Sequence, residues 1–232
     1  ERKVPIVFTS AGNPRTWTSE LKAAGVVVAH VVSSAKFAIK AEDAGVDAIV
    51  AEGFEAGGHN GREETTTMCL IPQVKKCIQV PLIAAGGIGT GAAMLAAMNL
   101  GADGVQIGSR FVASNESSAH RHFKEEVIKA KEGDTSLTLK ELTPVRLLHN
   151  AFYKEVIEAY QNGVSNEELR ELLGRGRAKK GMFEGDLVNG ELEIGQVSGL
   201  INEIRPAKKI VEELIAEYKN ALLAMNNNKY KF

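Results

Sequence analysis

The sequence predicts an α/β fold in which short buried strands alternate with helices. Five apolar runs, rich in β-branched residues, contain almost no polar residue, which is typical of strands buried on both faces of a parallel sheet. Three of the stretches between them end in a glycine, the residue that best tolerates the left-handed backbone just beyond a helix. The 232-residue chain is 44% hydrophobic and 25% charged, an ordinary globular composition. These observations leave two architectures open, a doubly wound open sheet and a (β/α)8 barrel.

Each predicted element follows from its local pattern. The apolar runs predict strands over Val4–Phe8, Val26–Val32, Ala48–Ala51, Leu82–Ala85 and Val105–Ile107. The glycines that end helices are Gly25, Gly45 and Gly101. Five strand–helix units are fewer than the eight of a closed barrel, and no Gly-x-Gly-x-x-Gly after the first strand marks a dinucleotide site. We therefore assign residues 1–135 to a parallel α/β region.

The pattern changes to helical cover from about residue 136 onward. The capping-box spacings Thr138-x-x-Glu141 and Ser165-x-x-Glu168 predict two helix starts. We predict helices over Arg146–Asn162, over Glu167–Leu173 and from Pro206 onward, a loop over 174–190, and a frayed tail over Asn226–Phe232. Residues 136–232 are therefore predicted to be a helical extension packed on the α/β region.

Charge and cysteine content exclude several classes of protein. The chain has 28 Lys and Arg against 29 Asp and Glu, which argues against a nucleic-acid or polybasic membrane binder. No apolar run approaches the roughly 20 residues that span a bilayer. Cys69 and Cys77 suit a reduced cytoplasmic protein better than a disulfide framework or a zinc site. Because Glu1 leads almost directly into the strand at Val4, we expect the fold to begin upstream of this sequence.

The glycine-rich stretch Ala51–Gly61 is the first candidate site. It follows a predicted strand, and in an α/β barrel the carboxyl ends of the strands hold the active site. Its four glycines allow close approach of a ligand, and His59 can exchange a proton near neutral pH. The alternative is a glycine-rich turn carrying a solvated histidine, and the residues alone leave the two interpretations equally open.

Two further glycine turns follow neighbouring strands and suit a phosphate. The stretches Ala84–Gly91 and Gln106–Phe111 both end a strand and open a helix, where backbone N–H groups lack partners. The alternative is that both are merely tight connections. The stretch Gly195–Gly199 could fold over the same site or pack helices, and His30, inside an apolar strand, is expected to be a satisfied core histidine.

The order of three motifs resembles one enzyme family. Glu52–His59, Ala85–Ile88 and Gln106–Phe111 are similar to the motifs of the FMN-dependent barrel enzymes that include nitronate monooxygenase (2-nitropropane dioxygenase) and its relative enoyl-acyl-carrier-protein reductase II. The resemblance extends from Val4 to about Leu223. It implies a TIM (β/α)8 barrel that here lacks its first strands and a flavin pocket at the barrel mouth.

The resemblance also implies roles for individual residues. His59 matches the catalytic histidine, expected to act as a general base or to orient the substrate. The positions that match the FMN-binding residues of the family are Glu52, Gly57, Gly86, Gly87, Gln106, Ile107, Gly108 and Ser109. Val31 stands where several members have a lysine that can contact the flavin, so this chain departs from the family there. We also expect about one third of the residues of the family fold to lie upstream.

The resemblance leaves the substrate open between two alternatives. The first is oxidation of alkyl nitronates or nitroalkanes by molecular oxygen, and the second is NAD(P)H-dependent reduction of an enoyl thioester. The partners expected are a small-molecule substrate and, for the assembly, a homodimer. Two further interpretations involve no redox chemistry, namely a barrel that binds a phosphate-sugar or a nucleotide, and a fragment without activity of its own.

Overall fold

The computed structural model describes residues 4–226. Its strands are β1 (Ile6–Thr9), β2 (Val27–Val32), β3 (Ala48–Glu52), β4 (Gly58–His59), β5 (Leu82–Ala85), β6 (Gly104–Gln106), β7 (Thr135–Thr138) and β8 (Val145–Leu148). Its α-helices are α1 (Thr18–Ala23), α2 (Ala35–Asp43), α3 (Thr67–Lys75), α4 (Gly91–Asn99), α5 (Ser109–Val112), α6 (Arg121–Lys129), α7 (Ala151–Gln161), α8 (Asn166–Leu173), α9 (Arg177–Met182) and α10 (Ala207–Asn226). Two short 3₁₀ helices cover Pro14–Thr16 and Gln196–Leu200.

Five parallel strands form the main sheet, in the order β1-β2-β3-β5-β6. This order follows the chain without the reversal that marks a doubly wound sheet, so the architecture is that of a partial (β/α)8 barrel and the predicted fold class is confirmed. Side chains alternate across it. In β3, Ile49 and Ala51 pack into the core between sheet and helices, whereas Val50 packs with Ala29 and Ala85 on the opposite face.

The glycines that were predicted to end helices do so. Gly25, Gly45 and Gly101 have φ angles of +76°, +85° and +110°, values that only glycine adopts without strain. The predicted strands match the observed ones within two residues at each end. This part of the chain is readable because each buried strand is continuously apolar and each helix ends at a glycine.

A second, antiparallel sheet of order β4-β8-β7 overturns part of the prediction for residues 136–232. The helix predicted over Arg146–Asn162 is wrong at its start, because residues 145–148 form β8 and the helix begins only at Ala151. All four residues of β8 are buried, so the run is a strand covered on both sides rather than one face of a helix. The helix start predicted at Thr138-x-x-Glu141 is also wrong, because Thr138 ends β7 and Leu139 has a φ of +54°.

The other helices in this region confirm one prediction and correct another. At the start of α8, the Ser165 and Glu168 side chains each accept a hydrogen bond from the backbone N–H of the other, which is the predicted capping box. The predicted loop over 174–190 contains the short helix α9, whose Arg177 donates to the carbonyls of Leu172, Leu173 and Asn189. The tail predicted over Asn226–Phe232 is wrong at its first residue, because Asn226 still belongs to α10, and residues 227–232 lie outside the described residues. The domain division near residue 135 stays a prediction.

Helix α10 packs against α4 at a point where only glycine fits. A Cβ at Gly91 would overlap the backbone of Leu214 and Tyr218. At the same contact, the Glu217 carboxylate accepts a hydrogen bond from the Gly91 N–H over 2.7 Å. Two apolar residues of α10, Ile210 and Leu214, are buried, whereas Val211 and Ile215 are exposed. None of the helices in the described range is both long and apolar enough to cross a bilayer.

Candidate functional site

A cavity of about 190 Å³ lies at the carboxyl ends of β3, β5 and β6. It brings together seven of the eight residues predicted to bind the cofactor, namely Glu52, Gly57, Gly86, Gly87, Gln106, Gly108 and Ser109. The eighth, Ile107, packs instead against the core between sheet and helices. The cavity forms here because parallel strands place all their carboxyl ends at one edge of the sheet. We call it the main cavity.

The turn after β5 allows a ligand to approach its backbone closely. Gly86 and Gly87 have φ angles of +85° and +69°. A Cβ at Gly86 would lie 2.6 Å from the Gly53 carbonyl oxygen, and one at Gly87 would lie 3.3 Å from Oε1 of Glu55. Within residues 4–226, the backbone N–H groups of Gly86 and Gly87 donate to no acceptor. They are therefore free to meet an anionic or polar group in the main cavity.

The amino terminus of α4 is engaged elsewhere. Its first N–H, that of Gly91, donates to Glu217, and the N–H of Ala93 donates to the Thr90 hydroxyl over 3.1 Å. The sequence suggested that the positive end of this helix would attract a phosphate. Two amides of the first turn of α4 are thus occupied by α10 and the N-cap, and the main cavity is lined by Gly86 and Gly87 rather than by residues of α4.

Ser109 joins the turn after β6 to the segment that covers the main cavity. Its Oγ accepts a hydrogen bond from the Gly195 N–H over 3.0 Å, so the hydroxyl proton remains available to a ligand. The N–H groups of Gly108 and Ser109 also have no acceptor among the residues the structure describes. Two neighbouring strand ends thus offer backbone amides and a hydroxyl, the donor set that suits a phosphate.

Residues 191–198, which we call the covering segment, fold over this site. The Gln196 N–H donates to the Glu55 carbonyl over 3.0 Å, and a Cβ on Gly57 would overlap the backbone of Ile194 and Gly195. Glu193, Ile194 and Val197 line the main cavity. The sequence left two alternatives for Gly195–Gly199, and the structure shows both: Val197 lines the main cavity, and the 3₁₀ helix over Gln196–Leu200 packs against α5 and α6.

Glu55 holds the loop after β3 against α3. Its carboxylate accepts hydrogen bonds from the Thr67 N–H, over 3.0 and 3.1 Å to its two oxygens, and from the Thr67 hydroxyl over 2.9 Å. Thr67 is the first residue of α3, so a negative charge stands where the helix dipole favours one. Glu55 thereby fixes the loop that carries Gly57.

Two carboxyl groups of the main cavity are poorly hydrated. Burial raises the pKa of Glu52, at the end of β3, to about 7. Burial also raises the pKa of Glu193, while the nearby His59 acts in the opposite direction. Both carboxyl groups are therefore able to hold a proton closer to neutral pH than an exposed glutamate does.

His59 lies beside the main cavity rather than on its lining. It pairs with Val145 in the antiparallel sheet and borders a second cavity of about 170 Å³, which Glu191 and Arg177 also line. The imidazole is exposed. A Cβ on its neighbour Gly58 would lie 2.8 Å from Oε2 of Glu193, which lines the main cavity. The catalytic role predicted for His59 stays a prediction.

Arg146, a residue of β8, stabilises the loop between β3 and β4. It is 1% exposed, and its Nε and Nη2 donate to the Phe54 carbonyl over 3.2 and 2.9 Å. Its guanidinium lies 4.5 Å from the centre of the Phe54 ring. Burial lowers the pKa of Arg146, and the charges of Glu55 and Glu64 oppose that change. The loop that carries Gly57 is thus fixed by a residue 92 positions away in the sequence.

Sequence reasoning missed Glu193, Ile194 and Arg146, whereas Val197 belongs to the stretch Gly195–Gly199 that was named as able to fold over the site. Glu55 belonged to a quoted motif but had no role assigned to it. The residues of the covering segment reach the site through tertiary contacts, and no glycine turn or strand end marks them. The one available signal was Gly195-Gln196, which the sequence analysis left open. His30 is as expected, since it is 4% exposed and its Nδ1 lies 2.7 Å from the Thr9 hydroxyl.

A parallel α/β barrel with glycine turns and free amides at adjacent strand ends defines a class of enzyme that binds a phosphate-bearing ligand at its mouth. Residues 1–217 match the nitronate monooxygenase family, and the chain belongs to that family of flavin-dependent oxidoreductases. A probable nitronate monooxygenase of Staphylococcus saprophyticus is 36% identical over 199 residues, 77% of this chain and 56% of that protein. A second, of Staphylococcus aureus strain Newman, is 33% identical over 93% of this chain.

Two solved structures share the fold of this chain. FabK of Thermotoga maritima superposes with a TM-score of 0.89 at 42% identity, over 96% of this chain and 70% of FabK. Nitroalkane oxidase of Streptomyces ansochromogenes superposes with a TM-score of 0.76 at 30% identity, over 96% of this chain and 66% of that enzyme. The chain spans 56% to 63% of the length of the curated relatives described above.

Proposed function

We propose that this protein is an FMN-dependent oxidoreductase that oxidises alkyl nitronates or nitroalkanes with molecular oxygen. The observation that carries the proposal is the pair of strand-end turns, at Gly86–Gly87 and Gly108–Ser109, whose amides have no acceptor in the described part of the chain. A phosphate monoester fits that donor set. Because the family is flavin-dependent in general, we infer that the phosphate belongs to FMN. When bound, FMN supplies the electron acceptor that the reaction needs.

Each group of residues in this chain would then have a role of its own. The turns after β5 and β6 hold the phosphate, and the Ser109 hydroxyl contributes its proton to that contact. Glu52 and Gly57 border the flavin ring. His59 takes the proton from the carbon beside the nitro group, or orients the nitronate when the substrate is already ionised. The covering segment excludes water from the side opposite the sheet.

One variant tests the role of His59. We expect His59→Ala to keep FMN and to lose turnover by about 100-fold, which is the lower end of what general acid–base catalysis contributes. Bound flavin is measured from its visible absorbance and turnover from oxygen uptake with propyl-2-nitronate. His122→Ala, which changes another exposed histidine, should leave turnover within twofold. Full turnover of a flavin-loaded His59→Ala enzyme removes His59 from catalysis.

Reduction of an enoyl thioester is the second candidate. The likeness to FabK, an enoyl-acyl-carrier-protein reductase II, favours it, since the TM-score is 0.89 at 42% identity. The two candidates need different co-substrates. Oxygen consumption with propyl-2-nitronate and no nicotinamide supports the first, whereas NADH oxidation that depends on crotonyl thioester supports the second.

A further inference from the structure

A cavity of about 180 Å³ lies between the carboxyl end of β2, the loop after β1 and helix α2, and we call it the helix-side cavity. His30 of β2 lines it, on the same face of the strand as Val28 and Val32, which pack into the core between sheet and helices. The helix-side cavity has no lining residue in common with the main cavity. It is therefore a separate site, on the outer face of the parallel sheet.

One nitrogen of the buried His30 ring faces this cavity without a partner. His30 is 4% exposed, and its Nδ1 lies 2.7 Å from the Thr9 hydroxyl. Its Nε2 has no hydrogen-bond partner among residues 4–226, and it is not one of the atoms sealed off from solvent. Because buried polar atoms are normally hydrogen-bonded, an unpartnered nitrogen on a cavity wall is available to a ligand.

The lining of the helix-side cavity is positively charged. Its titratable residues are His30 and Lys40, and no carboxyl group of the described chain lines it. Lys40 forms no ion pair with any residue in the range 4–226. Burial lowers the pKa of His30, and the charge of Lys40 lowers it further, so the two groups oppose each other when both are protonated. An anion between them would remove that repulsion.

The remainder of the lining combines neutral donors with apolar surface. Gly12 and Ser33 line the cavity, and neither the Gly12 N–H nor the Ser33 hydroxyl donates to an acceptor in the part of the chain that the structure describes. Pro14, Val32 and Phe37 supply apolar surface. At about 30 Å³ for each water-sized group, a volume of about 180 Å³ has room for about six non-hydrogen atoms. A small ligand with an anionic head and a short apolar tail matches this lining.

We propose that the helix-side cavity binds a short aliphatic carboxylate, with its oxygens between His30 and Lys40 and its tail against Val32 and Phe37. The imidazolium form of His30 donates from both ring nitrogens, so Nδ1 keeps Thr9 while Nε2 donates to the carboxylate. Butyrate, which has the expected size, is the probe. Butyramide has the same shape without the charge and is the matched control ligand.

The first test follows His30 itself. Its ring resonances, identified by their loss in His30→Gln, are titrated by NMR from about pH 5 to about pH 9 with and without butyrate. We expect butyrate to raise the pKa of His30, because an anion stabilises the imidazolium, and butyramide to leave it unchanged. By reciprocity, butyrate then binds more tightly near pH 5 than near pH 8. An unchanged His30 titration in the presence of excess butyrate would overturn the proposal.

The second test removes the other cation. Lys40→Met keeps the length of the side chain without its charge, and we expect it to weaken butyrate binding near pH 6 by about fivefold, the upper end for a partly exposed ion pair. Isothermal titration calorimetry measures the affinity. Lys36→Met is the matched control, because Lys36 is an exposed lysine of the same helix outside the cavity lining, and it should stay within twofold. Equal losses in the two variants would contradict the assignment.

Inorganic phosphate separates a carboxylate site from a site for any anion. Phosphate has anionic oxygens but no apolar tail, so we expect it to shift the His30 resonances only at higher concentrations than butyrate does. Phosphate that binds more tightly than butyrate at His30 would overturn the carboxylate assignment. These readouts involve neither flavin nor turnover, so failure of the proposed function leaves them unaffected, and their failure leaves the proposed function standing.

Discussion

The two sheets of this molecule build the main cavity in different ways. The parallel sheet contributes backbone, because its glycine turns leave N–H groups at the ends of β5 and β6 with no acceptor among residues 4–226. The antiparallel sheet and the covering segment contribute side chains: Glu193 lines the cavity, and the buried Arg146 fixes the loop that carries Gly57. Backbone donors bind a group that all members of a chemical class share, whereas side chains discriminate within the class. The first region therefore suits a cofactor and the second a substrate.

The largest expected effect is a loss of stability in the antiparallel region. Arg146→Met removes two hydrogen bonds to the Phe54 carbonyl and a stacking partner of the Phe54 ring. Because Arg146 is buried and that part-buried carbonyl would lose both of its arginine donors, we expect the free energy of unfolding to fall by about 3 kcal/mol. Urea unfolding measures the change. Arg170→Met, which breaks an exposed pair with Glu167, should cost less than about 0.5 kcal/mol, and an equal cost at both sites would contradict the assignment.

The next effect concerns the parallel region. Gly87→Asp places a carboxylate beside Glu55 and against the free amides of the turn. We expect it to weaken FMN binding by at least about 30-fold, or about 2 kcal/mol, measured by flavin fluorescence titration. Gly133→Asp is the matched control, because Gly133 has a φ of +84° with no atom near a Cβ and lies away from the cavity. Stoichiometric flavin in Gly87→Asp would mean that the turn is only structural.

A smaller effect depends on pH. The pKa of Glu52 is raised to about 7 from the ordinary value of 4.5, so the folded state holds the proton more tightly than the unfolded state does. The resulting stabilisation is fully present below about pH 4.5 and is lost as the pH rises through about 7. Without flavin, Glu52→Gln should therefore be more stable than the wild type at pH 8, by about 1–2 kcal/mol, and similar to it at pH 4.5.

Thermal unfolding at both pH values measures that difference. Glu63→Gln changes an exposed glutamate outside the cavity and should show no such pH dependence. A Glu52→Gln variant whose stability follows the wild type at both pH values would show that the Glu52 carboxyl is well hydrated in the folded protein.

The contrast between the regions also explains what the sequence could predict. In the parallel region, strands and helix ends follow from continuous apolar runs and glycines, which are local signals. The proposed cofactor positions came instead from the resemblance of three motifs to a known family, and seven of the eight line the main cavity. In the antiparallel region, Val145–Leu148 has no such signal. Its apolar residues flank an arginine, and a short run of that kind fits a helix start as well as a strand.

Arg146 shows why the remaining contacts could not be predicted from the sequence. An arginine in a sequence is read as exposed unless something pairs it, and its partner here is a carbonyl oxygen 92 residues earlier. Glu193 is similar, since its position over Gly58 depends on the bridge between the covering segment and β8. Both residues take their roles from tertiary contacts, so no spacing along the chain could indicate them.

The hydroxyl of Ser109 has a consequence for cooperativity. It accepts the Gly195 N–H while its own proton stays available to a ligand in the main cavity. An anion that accepts this proton makes the oxygen more electron-rich and strengthens its bond to Gly195. Ligand binding and the hydrogen bond between Ser109 and Gly195 then favour each other by the same factor. Amide hydrogen exchange at Gly195 is therefore expected to slow when a ligand that accepts the Ser109 proton binds in the main cavity.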